Sequence, residues 1–103
     1  MLADVFRFIE AHHRDPISLI DVAREVGRSP AYLTDLVRRK TGRTVQGWIV
    51  ERRMVDARAL LLETNHTVGQ IAEMVGYGDA SYFIKQFRRL HNATPQAWRR
   101  AHR

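Results

Sequence analysis

Apolar residues recur along the chain at intervals of three and four, the spacing of one helix face, and no stretch alternates strictly enough for a strand. The spacing predicts an all-α chain of seven helices. The first covers roughly Leu2 to His13, with Val5, Phe6 and Ile9 on one side. The second begins after Ser18, a good N-cap, and carries Leu19, Val22, Ala23 and Val26 until Gly27 stops it. The third starts at Ser29-Pro30, a cap followed by proline at the first helical position, where its missing N–H costs nothing. It ends at Gly42, with Arg38, Arg39 and Lys40 near the negative end of its dipole. The fourth runs from about Thr44 to Glu63, with Val45, Ile49, Met54, Ala57 and Leu61 spaced for burial; at 1.5 Å per residue it spans roughly 30 Å. The fifth starts at Thr67 and carries Val68, Ile71, Ala72 and Val75 to Gly76, and the sixth starts at Asp79 with Phe83, Phe87 and Leu90 inward. The seventh starts near Thr94-Pro95 and includes Trp98.

The chain also repeats itself. Helix two aligns with helix five as Ser18/Thr67, Val22/Ile71, Ala23/Ala72, Val26/Val75 and Gly27/Gly76. One residue is then gained, and the match continues as Ser29/Asp79, Tyr32/Tyr82, Leu33/Phe83, Val37/Phe87, Arg38/Arg88 and Arg39/Arg89, ending with Thr44/Thr94, Gln46/Gln96 and Trp48/Trp98. Each repeat is a short capped helix, a glycine-containing turn and a second capped helix. The small Ala23 or Ala72 lets the second helix approach closely, and Gly27 or Gly76 can take the positive φ of a sharp helix exit. That is the helix-turn-helix pattern, whose second helix enters the DNA major groove. Two in register, joined by a long helix, are a much stronger signal than one.

Phase then sorts the faces. With Leu33, Leu36 and Val37 inward, the third helix presents Ala31, Thr34, Asp35 and Arg38 outward. With Phe83, Phe87 and Leu90 inward, the sixth presents Ser81, Ile84, Lys85 and Arg88. Small residues at the start of both faces let a helix N-terminus approach base edges. Ile84 reads equally as a partner for a thymine methyl or as an ordinary exposed isoleucine.

Composition narrows the partner. A chain of 103 residues suits one domain or two very small subdomains, and 45% hydrophobic residues suffice for a packed core. A formal charge of +6 suits a polyanion: DNA, RNA or an anionic membrane. The absence of cysteine excludes disulfides, a thiol nucleophile and cysteine-based zinc sites, and fits a reducing compartment. No apolar run approaches the ~20 residues of a membrane span, and the start shows no secretory signal, although a segment cut from a longer chain reads the same there. The expected location is the cytoplasm.

Other chemistry is poorly supported. His12, His13, His66, His91 and His102 lack an HExxH arrangement and read as solvated or capping. Ser29 and Ser81 lack a G-x-S-x-G setting. Arg52, Arg53 and Arg58 read as a DNA-facing stripe or, for Arg53, as a buried or half-buried ion pair, the favoured reading. Trp48 and Trp98 suit closure of each half's core better than base stacking. A protein-interaction module needs an exposed apolar stripe, for which only isolated residues such as Ile84 and Val50 are candidates. A domain accessory to DNA-repair chemistry is the other alternative, without thiol-based alkyl transfer. Membrane binding is disfavoured, because the basic faces also hold capping and core residues.

The run Arg53-Met54, Ala57, Leu61, Ile71-Ala72, Val75-Gly76-Tyr77, Phe83, Phe87-Arg88 and Thr94-Pro95 resembles the DNA-binding domain of the AraC/XylS family of transcription regulators, over essentially the whole chain. The resemblance implies one such domain over residues 1–103, with a first helix-turn-helix at about 18–42, a linker helix at about 44–63 and a second helix-turn-helix at about 67–91. It implies that the recognition helices enter adjacent major-groove segments of one DNA site. The family's base-reading positions fall on Ala31, Thr34 and Asp35, and on Ala80, Ser81, Ile84 and Lys85. Its backbone-contacting positions fall on Arg38, Arg43, Thr44, Arg88, Thr94 and Gln96, and Ser29 joins them as a cap with a DNA-contact role. Asp35 departs from the family's basic or neutral residue; it can accept from cytosine N4 or pair with Arg38 or Arg39. Asn92 replaces a usual glycine, and Val37 a usual aromatic, which makes the first core smaller. The implied partner is double-stranded DNA, with RNA polymerase as a further candidate. No cofactor, catalytic residue or metal ligand is implied. The segment reads as a monomer, and a dimeric parent would pair through a domain not included in it.

Overall fold

A computed structural model describes all 103 residues. It contains seven helices and no strand: α1 (Leu2–His12), α2 (Leu19–Val26), α3 (Pro30–Thr41), α4 (Val45–Glu63), α5 (Val68–Met74), α6 (Ala80–His91) and α7 (Pro95–His102). The chain forms two compact units, Met1–Arg52 and Arg53–Arg103, and α4 runs unbroken through the point where one gives way to the other.

In the first unit, α1 contributes Val5 and Ile9 to the core, α2 Val22 and Ala23, α3 Leu33 and Val37, and α4 Val45 and Ile49. Trp48 closes its edge, half-buried, with its Nε1–H donated to Thr41 Oγ1 at 2.9 Å and the Phe6 ring edge-on at 5.2 Å. The second unit buries Met54, Ala57 and Leu61 of α4 with Ile71, Ala72, Val75, Tyr77, Phe83 and Phe87. Its α6 residues are aromatic where α3 has Leu33 and Val37: Phe83 and Phe87 lie 5.9 Å apart, and Trp98 meets Phe87 edge-on at the same distance.

Side-chain caps set the helix starts. The Ser18 backbone N–H donates to Asp21 Oδ2 at 2.8 Å, and this bond, followed by that from the Ser18 hydroxyl, holds the Asp21 carboxyl below the usual carboxylate range. Ser29 Oγ accepts from the Tyr32 N–H, Asp79 Oδ1 from Ser81 and Thr94 Oγ1 from Ala97. Left-handed residues set the exits: Gly27 at φ 70°, Gly42 at 77° and Gly76 at 108°. Asn92, at φ 56°, occupies the place in the second repeat that Gly42 holds in the first, a conformation asparagine tolerates better than other side chains.

Three inward or outward assignments on α3 and α6 change. Leu90 is 52% exposed rather than buried. The inner face of α6 continues from Phe87 through His91, whose ring stacks on Phe87 at 3.8 Å, which turns Leu90 outward. Leu36 is half-buried rather than fully inward, and Ile84 is half-buried rather than exposed. Of the histidines, His13 is buried at the end of α1 with Nδ1 3.1 Å from Glu10 O, and His91 Nδ1 lies 2.9 Å from Phe87 O, so both cap helical carbonyls.

An added Cβ at Gly27 would meet nothing within 4 Å, so substitution there costs backbone strain alone. Gly27→Ala should destabilise the fold by about 1–2 kcal/mol, and Gly27→Asn by less. Chemical denaturation of the two variants checks the order; equal losses would mean that the left-handed exit is not what the glycine supplies.

Candidate nucleic-acid interface

Burying Leu33 and Val37 leaves Ser29, Ala31, Thr34, Asp35 and Arg38 exposed on α3 and its cap. Burying Phe83 and Phe87 leaves Ser81, Lys85 and Arg88 exposed on α6, with Ala80 and Ile84 half-buried beside them. Each unit thus brings its expected base-reading residues onto one helix. The two surfaces differ in charge. Asp35 Oδ2 accepts from Arg39 Nε at 3.0 Å, one of the two pairings the sequence offers it. At the equivalent positions α6 has Lys85 and Arg89, two cations and no acid.

The expected backbone contacts are less uniform. Arg38, Arg88 and Gln96 are exposed. Arg43 lies 3.6 Å from Glu51, with its guanidinium 4.8 Å from the Trp48 ring centre, so it is partly committed within its own unit. The oxygens of Thr44 and Thr94 accept from the N–H groups of Gly47 (2.9 Å) and Ala97 (3.2 Å), which leaves each hydroxyl hydrogen as a donor.

Other arginines serve the fold. Arg53 is buried, its guanidinium 5.2 Å from the Tyr77 ring centre, so it cannot belong to a surface stripe. Burial pushes the Tyr77 hydroxyl above its ordinary pKa, against the opposing charge of Arg53. Arg52 pairs with Glu10 at 2.8 Å, and Arg58 donates to His91 Nε2 at 3.0 Å. Arg99 donates to the carbonyls of Leu61 (3.0 Å) and Thr64 (3.2 Å), and Arg103 to Thr64 (3.0 Å) and Asn65 Oδ1 (2.7 Å), closing the C-terminal end of α4. Two exposed aromatics had no role in the sequence reading although the repeat pairs them: Tyr32 and Tyr82, 47% and 53% exposed. Their position, one residue before a core residue of a recognition helix, is the signal that was available.

Val50 is buried and Ile84 half-buried, so neither starts an apolar stripe. No helix is long and apolar enough to cross a membrane, and no group of three or more His, Cys, Asp or Glu residues is arranged to hold a metal ion.

Two short helix pairs, each exposing the outer face of its second helix, define a double helix-turn-helix protein. A family model described as a helix-turn-helix domain matches residues 22–101. The regulatory protein PocR of Salmonella typhimurium is 40% identical over 93 residues, covering 90% of this chain and 31% of that protein. An AraC-type transcriptional regulator structure from Chromobacterium violaceum superposes with a TM-score of 0.85 at 30% identity, covering 95% of this chain and 88% of that one. The DNA-binding domain of AdpA, solved with a target DNA, shares the fold with a TM-score of 0.90 at 24% identity, covering 97% and 90%. The chain belongs to the AraC/XylS family of helix-turn-helix transcription regulators, and its fold is that family's DNA-binding domain. It spans about a third of the length of the curated relatives it matches.

The Asp35–Arg39 pair is exposed on both sides, with 68% and 61% of the two side chains accessible. Asp35→Ala should therefore cost less than about 0.5 kcal/mol in stability. Thermal unfolding measures this; a loss above about 1.5 kcal/mol would make Asp35 a fold residue and remove it from the interface.

Proposed function

We propose that this chain binds double-stranded DNA sequence-specifically and regulates transcription in the cytoplasm, each unit setting one recognition helix into its own major-groove segment of a single site. The functional divisions are then a first helix-turn-helix at about 18–42, a linker at about 44–63 and a second helix-turn-helix at about 67–91. The observation that carries this reading is the pair of repeat-equivalent outer faces, Ala31, Thr34 and Asp35 exposed on α3, and Ser81 and Lys85 exposed on α6 with Ala80 and Ile84 half-buried beside them, each phased by a buried pair behind it. Ser29, Arg38, Arg43, Thr44, Arg88, Thr94 and Gln96 contact the phosphate backbone on this reading. RNA polymerase is a further partner, and the segment acts as a monomer whose parent dimerises, where it does, through another domain.

Arginines at the ends of both recognition helices make the binding electrolyte-sensitive. Neutralising about 5–8 phosphates gives a slope of roughly −5 to −7 in log affinity against log salt. The readers divide the work. Residues 51–103 carry nine basic and five acidic residues, against eight and six in residues 1–50. Lys85 can donate to guanine O6 and N7, whereas ionised Asp35 can only accept. Lys85→Ala should weaken binding by about 1–3 kcal/mol and relax preference at its base pair. Asp35→Ala should change specific affinity little and raise affinity for scrambled DNA. Titration of both variants on a duplex selected from a random library, and on scrambled DNA at fixed salt, tests the division. A slope near zero overturns DNA binding itself, and a larger specific loss from Asp35→Ala than from Lys85→Ala reverses the roles.

The linker role is tested separately. Ala57 is fully buried inside α4, where proline would remove a backbone donor and clash with the preceding turn. Ala57→Pro should cost about 3 kcal/mol or more locally and abolish binding across the full site. Full-site affinity retained by a folded variant, verified by circular dichroism, would contradict it.

A further inference from the structure

The exposed face of α6 has a flank that the base-reading positions share only at Lys85. Tyr82, Lys85 and Arg89 recur there at i, i+3 and i+7, all exposed. The Tyr82 hydroxyl is tied to a directional chain of hydrogen bonds. Arg53 lies against the buried Tyr77 ring, its guanidinium 5.2 Å from the ring centre. The Tyr77 hydroxyl donates to Gln86 Oε1. This fixes the amide, and Gln86 Nε2 donates to the Tyr82 oxygen at 2.9 Å. The Tyr77 and Tyr82 rings meet edge-on at 5.9 Å, which holds the second ring in place. Every bond in the chain points outward, and at its end the Tyr82 hydroxyl oxygen is already an acceptor. Its one remaining hydrogen lies on a 53% exposed side chain among two cations.

A polarised donor flanked by Lys85 and Arg89 matches a group that only accepts and carries negative charge. We propose that Tyr82 donates its hydroxyl hydrogen to a DNA backbone phosphate, with Arg89 contacting the same stretch of backbone and Gln86 acting as the positioning residue that aims the hydroxyl. The proposal rests on the DNA-binding reading and deepens it: it supplies α6 with a fixed register against the backbone beside its base contacts.

The first unit keeps the tyrosine and the arginine but lacks the bonds that aim and free them. Tyr32 has the Arg28 guanidinium 5.3 Å from its ring centre in place of a tyrosine, and Leu36 stands where α6 has Gln86. Asp35 and Arg39 neutralise one another where α6 has Lys85 and Arg89. The clamp therefore belongs to α6 alone, and Tyr32→Phe is its internal control.

The test uses the whole chain and a duplex selected by it from a random-sequence library. Tyr82→Phe removes only the hydroxyl and should weaken binding about 5- to 20-fold, on selected and scrambled duplexes alike, with the salt slope unchanged because no counterion is displaced by a neutral donor. Arg89→Ala should also weaken both and reduce the slope by about one. Gln86→Leu, which installs the first unit's residue, should lose a smaller part of the Tyr82→Phe effect. Replacing single phosphates of the selected duplex by uncharged methylphosphonates, one at a time, gives the readout that a merely structural role would not move. At one position the difference between the native chain and Tyr82→Phe should vanish, while Tyr32→Phe retains native behaviour at every position. A Tyr82→Phe protein that binds as the native chain does, or a difference that persists at every phosphate, overturns the clamp while leaving DNA binding intact. Failure of the native chain to select any duplex overturns the underlying reading and the clamp with it.

Discussion

Leu33 and Val37 on α3, and Phe83 and Phe87 on α6, are fully buried pairs four residues apart, and each pair locks the rotation of its helix. Successive residues turn by about 100°, so a slip of one position would carry Asp35 or Lys85 away from the outer face. The shorter helices before them hold this phase in place: Ala23 and Ala72 permit close packing, and Gly27 and Gly76 turn the chain back at positive φ. The caps Ser29 and Asp79 fix where each recognition helix begins, and hence how far its first turn can advance. Packing behind the helix, rather than anything on its surface, decides which side chains a partner meets.

What the sequence made legible follows from local rules. Caps, left-handed exits, Pro30 and Pro95 at first helical positions, and the core faces all depend on residues within a turn or two of one another. The two units could be aligned because those rules act twice. What escaped depends on contacts between distant segments. Periodicity placed Leu90 inside because it follows Phe87 by three, but the place is taken by His91, stacked on Phe87 and held by Arg58 from α4. Arg99 and Arg103 look like free cations in a basic tail, and only the fold shows them closing the end of α4. The Tyr77–Gln86–Tyr82 chain was invisible for the same reason: glutamine on a helix flank carries no pattern until its neighbours across the turn are known.

Net charge is a poor measure of this interface. The chain has 17 lysine and arginine residues, but Arg52, Arg53, Arg58, Arg99 and Arg103 are engaged inside the units. The cations left on the recognition helices matter through their arrangement. On α3 one is cancelled by Asp35, and on α6 none is cancelled, so two helices built on one plan present different fields.

The unbroken α4 gives this architecture a further property. Each unit has its own sealed core, yet both draw on one helix: Val45 and Ile49 serve the first, Met54, Ala57 and Leu61 the second. The two units therefore build their cores on one continuous helix. Each core holds one half of a helix whose other half is held by the second core, so neither half of α4 is a free tether.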